Sequence, residues 1–581
     1  MSVPRFIPRR RLGLLAGATT VLLLTTLIAA GPAPALTPCS SPPSVIPEAQ
    51  LLPGTLGTGL TTLAGTTPVQ FTYTVVGTIP DGFMIGLDAI VIHITGPASF
   101  LSQTGGVFFG MSGSPAYVNG KLAGAVSAVF DDPTFGALTP AEAMLEVVGS
   151  AQGPSAIPAR TIVPTEEIRR AIARIQGTSA ASVTGTFTQL PVPLAVSGLG
   201  DDQIAQLQSR LDQRGENFVV YSAGSAAATT GTVTATPFAP GEPLGVAIAY
   251  GDASYYATGT ATFMCGDYVA AFGHPFFYDA PGAISLGLSG AEGLMMVKGA
   301  GWPGYRFALL TEPRGTIVQD RFAGIAGVVG QVPASIPIES DLTNLDDGSS
   351  RIGTTEVIHS WGWWLEEIVW SHLWANFAAV FGHYGGGSSS LDWTIDGSTA
   401  DGPFTVSNHW LASDQWDATG SMWRLINAID MLQFARDAEV TFTDISTSGW
   451  ITKDRLEGKI GRIRLASTTQ PKLRVRDVLK ARPGDAVTVE VSFDMIDGTT
   501  VVKTVGFDIP KNAKGFQSID LRGGRDRYRW ADTFQDALDV LNGGEHPDDL
   551  ILTGLGRYQW PLGLVVRGKG HFSVQVVRHT S

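Results

Sequence analysis

Cysteine is almost missing from this chain: Cys39 and Cys265 are the only two in 581 residues. One pair makes no disulfide scaffold, and the two would bond only in an oxidising compartment. No Cys-x-x-Cys, His-Glu-x-x-His or other metal-ligand spacing occurs, so no metal and no cofactor is expected. Charge is scarce too. Charged residues are 16% of the chain, which suits a folded, apolar-rich body and excludes a long disordered polymer. Basic residues are the rarer sign, 39 against 52 acidic. Four of them (Arg5, Arg9, Arg10 and Arg11) precede residue 36, where no acid stands. Without that segment 35 basic residues face 52 acidic ones, a balance of −17. So acidic a body is a poor polyphosphate binder, and nucleic acid is not an expected partner. No fixed-period repeat runs through the chain either.

What the chain does have is glycine, 70 residues of it, as a β-rich fold with many turns requires. The length allows two to four domains. The first 35 residues pair a cationic start, "MSVPRFIPRRR", with the apolar run "LGLLAGATTVLLLTTLIAA" and the small-x-small site Ala33-Pro34-Ala35. That is the pattern of a signal peptide, and the run is long enough to be an uncleaved membrane anchor instead. In both cases the expectation is an exported protein, secreted or held at the cell envelope.

Residues 51–130 read as successive short strands, and Asn119-Gly120 is a two-residue hairpin signal. Residues 164–175 and 201–215 have helical periodicity, within a helical and linker insert spanning 151–242. A second β-rich block covers 243–338. From 339 to 581 the texture changes to a β-rich accessory region with sandwich-like strand pairs and a few helices. There Trp361, Trp363, Trp364, Trp370 and Trp374 crowd into fourteen residues. They are either core or an exposed aromatic patch for a membrane or glycan, and core is the commoner fate of such residues. The basic run 453–482 alternates with apolar residues, as a solvated face of strands does.

Serine becomes a nucleophile only when a base takes its proton and donors await the oxyanion. "GMSGSP", residues 110–115, places Ser112 between Gly110 and Gly113, so that the amides of Gly110, Met111 and Ser112 can converge on one point. Glycine-rich hairpin entries are common, but Asn119-Gly120 already accounts for this hairpin. Ser114 lacks the same glycine cage. The setting is also unlike the strand-to-helix nucleophile elbow of α/β hydrolases. Among nine histidines, His274 stands out, fixed between Gly273 and Pro275 at the end of an apolar strand. His93 alternates with apolar residues as an ordinary strand residue, and His372, His383, His546, His571 and His579 have no comparable context.

Together "TGGVFFGMSGSPAYVNGKLAGAVSAVF", the Gly-His turn and "RGTIVQDRFAGIAG" resemble the SpoIVB serine peptidase family, over about residues 50–150 and 243–338. The resemblance implies a trypsin-like double β-barrel over 36–338, with Ser112 as nucleophile and His274 as general base. It also implies an endopeptidase acting on protein or peptide substrates. Two departures matter. The serine block precedes the histidine block, by 162 residues, where the family has the reverse order. Geometry rather than chain order defines such a site, so swapped halves are tolerable. The family's aspartate upstream of the serine would fall near Gly96, where no carboxylate stands. Asp88 is then the first choice of orienting acid and Asp279 the alternative, while Asp267 and Asp320 read as turn residues. Without an acid, a Ser-His dyad remains, and so does the competing expectation of an inactive binding or structural module at the cell surface.

Overall fold

The computed structural model describes residues 39–149, 161–223, 232–277, 282–298, 303–358, 363–525 and 530–577. The expected leader (1–35), Asp279, Trp361 and His579 lie outside the described residues. The first barrel is built from β1 (Leu56–Thr61), β2 (Val69–Met84), β3 (Leu87–Gly96), β4 (Pro115–Val118), β5 (Lys121–Phe130) and β6 (Phe135–Pro140). Antiparallel pairing runs β4-β1-β2-β3-β6-β5, and β5 returns to β4 to close the ring. The return is the expected hairpin: Asn119 and Gly120 take φ values of 50° and 75°, the twist a two-residue turn between strands needs. Phe71, Ile90, Ile92, Phe108, Met111 and Val126 fill the interior.

Short strands β7 (Thr161–Ile162) and β8 (Phe187–Gln189) extend this sheet from β5. Between them lies a helix, Glu166–Gln176, capped by the Thr165 side chain. Next come β9 (Val192–Val196) and β10 (Phe218–Ser222), a parallel pair joined by the helix Asp201–Arg214.

The second barrel contains β11 (Pro243–Gly251), β12 (Tyr255–Cys265), β13 (Tyr268–Ala271), β14 (Gly282–Val297), β15 (Tyr305–Arg321) and β16 (Gly324–Val329). The ring β12-β13-β16-β15-β14-β11 is antiparallel throughout and closes from β11 back to β12. The protein is therefore mainly β, and its first half is the expected double barrel with the serine-bearing barrel first. A disulfide, Cys39–Cys265, ties the segment ahead of the first barrel to the end of β12.

The sheet continues beyond this ring. From β11 it runs outward through β18 (Ser350–Val357), β17 (Ile336–Asn344), β21 (Thr441–Thr452), β19 (Gly387–Thr399) and β20 (Gly402–Asp414). Strand β17 therefore runs across the 338/339 position expected to separate the barrels from the accessory region. The helix Trp364–Phe381 is apolar on all sides and lies in the core on this wing; Trp364 is buried, and Trp363, Trp370 and Trp374 pack against the same core half-buried. Beyond Thr452 two five-stranded sheets enclose one core of Val489, Val491, Phe493, Leu521, Leu550 and Phe572, a sandwich.

Candidate functional site

Ser112 lies in the loop that leads into β4, and both barrels hold that loop. From its own barrel, Met111 N–H donates to the Phe108 carbonyl, Ser114 N–H to that of Met111 and Gly113 N–H to that of Val126. From the other barrel, β12 reaches across. Thr260 N–H donates to the Ser112 carbonyl at 2.9 Å, Thr260 Oγ1 to that of Gly110 at 2.9 Å, and Thr262 Oγ1 to that of Gly113 at 2.7 Å. Gly110 and Gly113 have φ of 92° and 90°, which L side chains rarely adopt. At Gly113 there is a second reason for glycine: a β-carbon would overlap the Thr260 carbonyl oxygen and the Phe272 amide nitrogen. The glycine cage read from the sequence is the contact surface between two barrels.

His274 follows the end of β13. Phe272 and Gly273 both turn left-handed, at φ 69° and 68°, and a bulky residue holds that conformation only when its surroundings compel it. Here they do. The Phe272 ring lies over Gly259, Thr139 Oγ1 donates to the Gly273 carbonyl at 2.6 Å, and the buried Asp320 accepts the N–H groups of Phe276 and Phe277 at 2.8 Å each. Asp320 is thus a strand residue of β15 that clamps the histidine-bearing turn, not the turn residue its sequence suggested. Standing between Gln319 and Arg321 near the end of its strand, it left no sequence signal of that role. Asp267 sits in the β12–β13 turn, as expected.

Ser112 and His274 are both buried, and neither Ser112 Oγ nor His274 Nε2 has a hydrogen-bond partner among the described residues. No hydrogen bond therefore joins them directly. His274 Nδ1 lies 2.8 Å from the Pro275 carbonyl oxygen, which can only accept, so Nδ1 carries the proton and Nε2 keeps a free lone pair. Burial pushes the imidazole pKa down to about 4, against the opposing pull of the Pro275 carbonyl. The ring is neutral at pH 7, in the tautomer a general base uses.

No carboxylate bonds to His274 among the described residues. Asp88 accepts the Asp81 N–H at 2.7 Å and shares a hydrogen bond with Glu48, whose carboxyl burial and Asp88 together raise to about 7. Of the three amides expected to hold an oxyanion, that of Met111 is engaged by Phe108. Ser114 Oγ donates to Thr61 Oγ1 at 2.8 Å. The other described histidines have structural settings: His93 stacks on Phe135, His372 bridges the Thr355 and Ser340 hydroxyls, and His409 bonds to Asp548. His383 packs on Phe381, His546 bonds to Asn408, and His571 to Asp520. Among the described residues no three His, Cys, Asp or Glu side chains are grouped to hold a metal ion, and no helix is long and apolar enough to cross a membrane.

No curated protein and no solved structure matches the chain. The second stretch of the sequence resemblance, 243–338, forms the barrel that carries His274 and lies outside the residues matched to a family. The first barrel with the whole Ser112 loop does have one: residues 58–145 match the SpoIVB peptidase S55 family, and over that stretch the chain is similar to serine peptidases.

Proposed function

We propose that the protein is an exported serine endopeptidase that hydrolyses peptide bonds with Ser112 as nucleophile and His274 as base. The observation that carries this is the interlocking of two loops 162 residues apart. Three inter-barrel hydrogen bonds fix the serine loop, and a clamped turn fixes the histidine. Both reactive atoms, Ser112 Oγ and His274 Nε2, are left without partners in a water-poor site. Leaving buried polar atoms unpaired costs about 1–3 kcal/mol each. A fold keeps such atoms when something else, a substrate, completes them.

In this mechanism Nε2 takes the Oγ proton as the oxygen attacks the peptide carbonyl, and the amides of Gly110 and Ser112 face the developing oxyanion. The imidazolium then protonates the leaving amine, and water hydrolyses the acyl-enzyme by the reverse proton path. The Pro275 carbonyl, rather than a carboxylate, holds Nδ1–H, so the unit is a dyad. Export is supported by the cationic and apolar N-terminal sequence and by the Cys39–Cys265 disulfide. The test is active-site labelling. A fluorophosphonate should label the purified, disulfide-bonded protein, lose the label in Ser112→Ala and keep it in Ser114→Ala. A monodisperse protein that stays unlabelled with Ser112 present overturns the peptidase reading in favour of an inactive binding module.

A further inference from the structure

A buried charge without a partner costs several kcal/mol, so a fold that keeps one requires an account. Arg306, on β15, is fully buried, and no carboxylate pairs with it among the described residues. Its Nη1 donates to the Thr62 carbonyl at 3.0 Å and its Nη2 to that of Gly259 at 2.6 Å, while Nε has no partner. The guanidinium lies against the serine loop. The β-carbon position of Gly110, two residues before Ser112, is 3.7 Å from both Nε and Nη2.

The same neighbourhood holds three more unsatisfied groups. Alternate residues of a strand share a face, so Tyr256, Thr258, Thr260 and Thr262 of β12 point the same way. The two threonines further along bind the serine loop, as described above. The hydroxyls of Thr258 and Tyr256 have no partner, and both residues are buried. A row of cross-strand partners, Tyr221–Ala195–Tyr256–Ala247, sets Tyr221 of β10 on that face too, with only an alanine between the two tyrosines. The Tyr221 hydroxyl is also buried and unpartnered, and its ring packs on Tyr305, the neighbour of Arg306 in the chain. Tyr256 and Arg306 both lie close enough to Tyr221 to perturb its titration. A guanidinium can only donate and each hydroxyl can both donate and accept, so four atoms able to donate share this neighbourhood, each without a partner from the protein.

We propose that Arg306 Nε and the hydroxyls of Thr258, Tyr256 and Tyr221 form a carboxylate-binding subsite beside the Ser112 loop. The carboxylate is either the free C-terminus of a peptide or an Asp or Glu side chain. A two-oxygen anion suits the set, because the guanidinium has spent one N–H of each Nη on carbonyls and offers an edge rather than its full fork. The subsite's part in choosing substrates rests on the peptidase reading; its affinity for a carboxylate does not.

The test is calorimetric binding to the full chain carrying Ser112→Ala, so that no turnover intervenes. Acetyl-trialanine acid is compared with its amide for the terminal carboxylate, and acetyl-Ala-Glu-Ala-amide with the Gln peptide for the side chain. In one of the two comparisons the carboxylate should bind at least about tenfold more tightly than its amide, the worth of one or two charge-assisted hydrogen bonds. Tyr256→Phe and Thr258→Val should each reduce that preference several-fold with no loss of thermal stability, because the deleted hydroxyls bond to nothing in the protein. Two results overturn the assignment. One is equal binding of acid and amide in both comparisons; the other is a preference that survives both hydroxyl deletions. Stronger binding of inorganic phosphate than of either carboxylate overturns it as well. Labelling of the Ser112-bearing protein without a carboxylate preference removes the subsite alone. A carboxylate preference in a protein that cannot be labelled leaves the subsite standing and removes the peptidase reading.

Discussion

Gly113 has no room for a methyl group and Gly120 has plenty, though both have positive φ. Gly120→Ala should cost about 1 kcal/mol, the conformational term alone. Gly113→Ala adds a collision with two backbone atoms of the second barrel and should cost roughly 2–4 kcal/mol. Denaturant midpoints compare the two directly, and only Gly113→Ala should also abolish fluorophosphonate labelling. His274 makes a separate prediction. Its pKa of about 4 means that the base is neutral at any higher pH, so the labelling rate should stay flat down to about pH 5 and fall only as pH approaches 4. A fall centred near 6.5 would instead mark an ordinary, solvated histidine. Ser112 and His274 could be picked from the sequence because glycine and proline next to them leave a local trace. Asp320 and Arg306 could not be assigned roles, since theirs arise only where one barrel meets another residue far along the chain.

At the scale of elements, β12 is one of the strands that couple the two barrels: one face of it carries the hydroxyls of Thr260 and Thr262 into the serine loop. Thr260→Val keeps shape and strand preference but leaves the Gly110 carbonyl without that donor. It should cost about 1–2 kcal/mol in stability and slow labelling, with the second barrel's own sheet unaffected by circular dichroism. Hairpins and amphipathic helices were the most legible elements. The Asn119-Gly120 turn and the helices near 164–175 and 201–215 stand where local pattern put them, because short-range chemistry decides them. The tryptophan-rich helix was harder. Its half-buried face carries Trp363, Trp370 and Trp374 and is as apolar as its buried one, so no apolar stripe separates an inner from an outer face, and core and surface patch remain alike in sequence. Nor does composition mark β17 as continuing the barrel sheet, since its partners, β18 and β21, come later in the chain.

Among the described residues two histidines, His274 and His372, are buried, with pKa values each lowered to about 4 by burial. In the unfolded chain both titrate near 6.5. Between those values the unfolded state binds more protons than the folded one at these two rings, so their contribution to stability falls as pH drops from 6.5 towards 4 and is flat above 6.5, while Glu48 and Glu366, each raised to about 7, contribute with the opposite sign as pH drops below 7. The loss is on the order of 3 kcal/mol per histidine over that window. The change in urea midpoint between pH 7 and pH 5 should differ between the parent chain and His372→Gln by that histidine's share, and an identical change in both would show that the ring is charged inside the fold. Reduction of Cys39–Cys265, which spans 226 residues, should lower stability by roughly 2–5 kcal/mol, measurable as a lower melting temperature in dithiothreitol.

That disulfide joins a residue ahead of the first barrel to one nine positions before His274. A chain emerging from its N-terminus can close the first barrel long before Cys265 exists to be oxidised, but the Ser112 loop then still lacks the hydrogen bonds from Thr260 and Thr262. Thiol consumption is therefore a clock for assembly. Free cysteines trapped by alkylation mark molecules in which Ser112 has been made but the barrel carrying His274 has not docked. Loss of those thiols dates the moment when the two barrels meet.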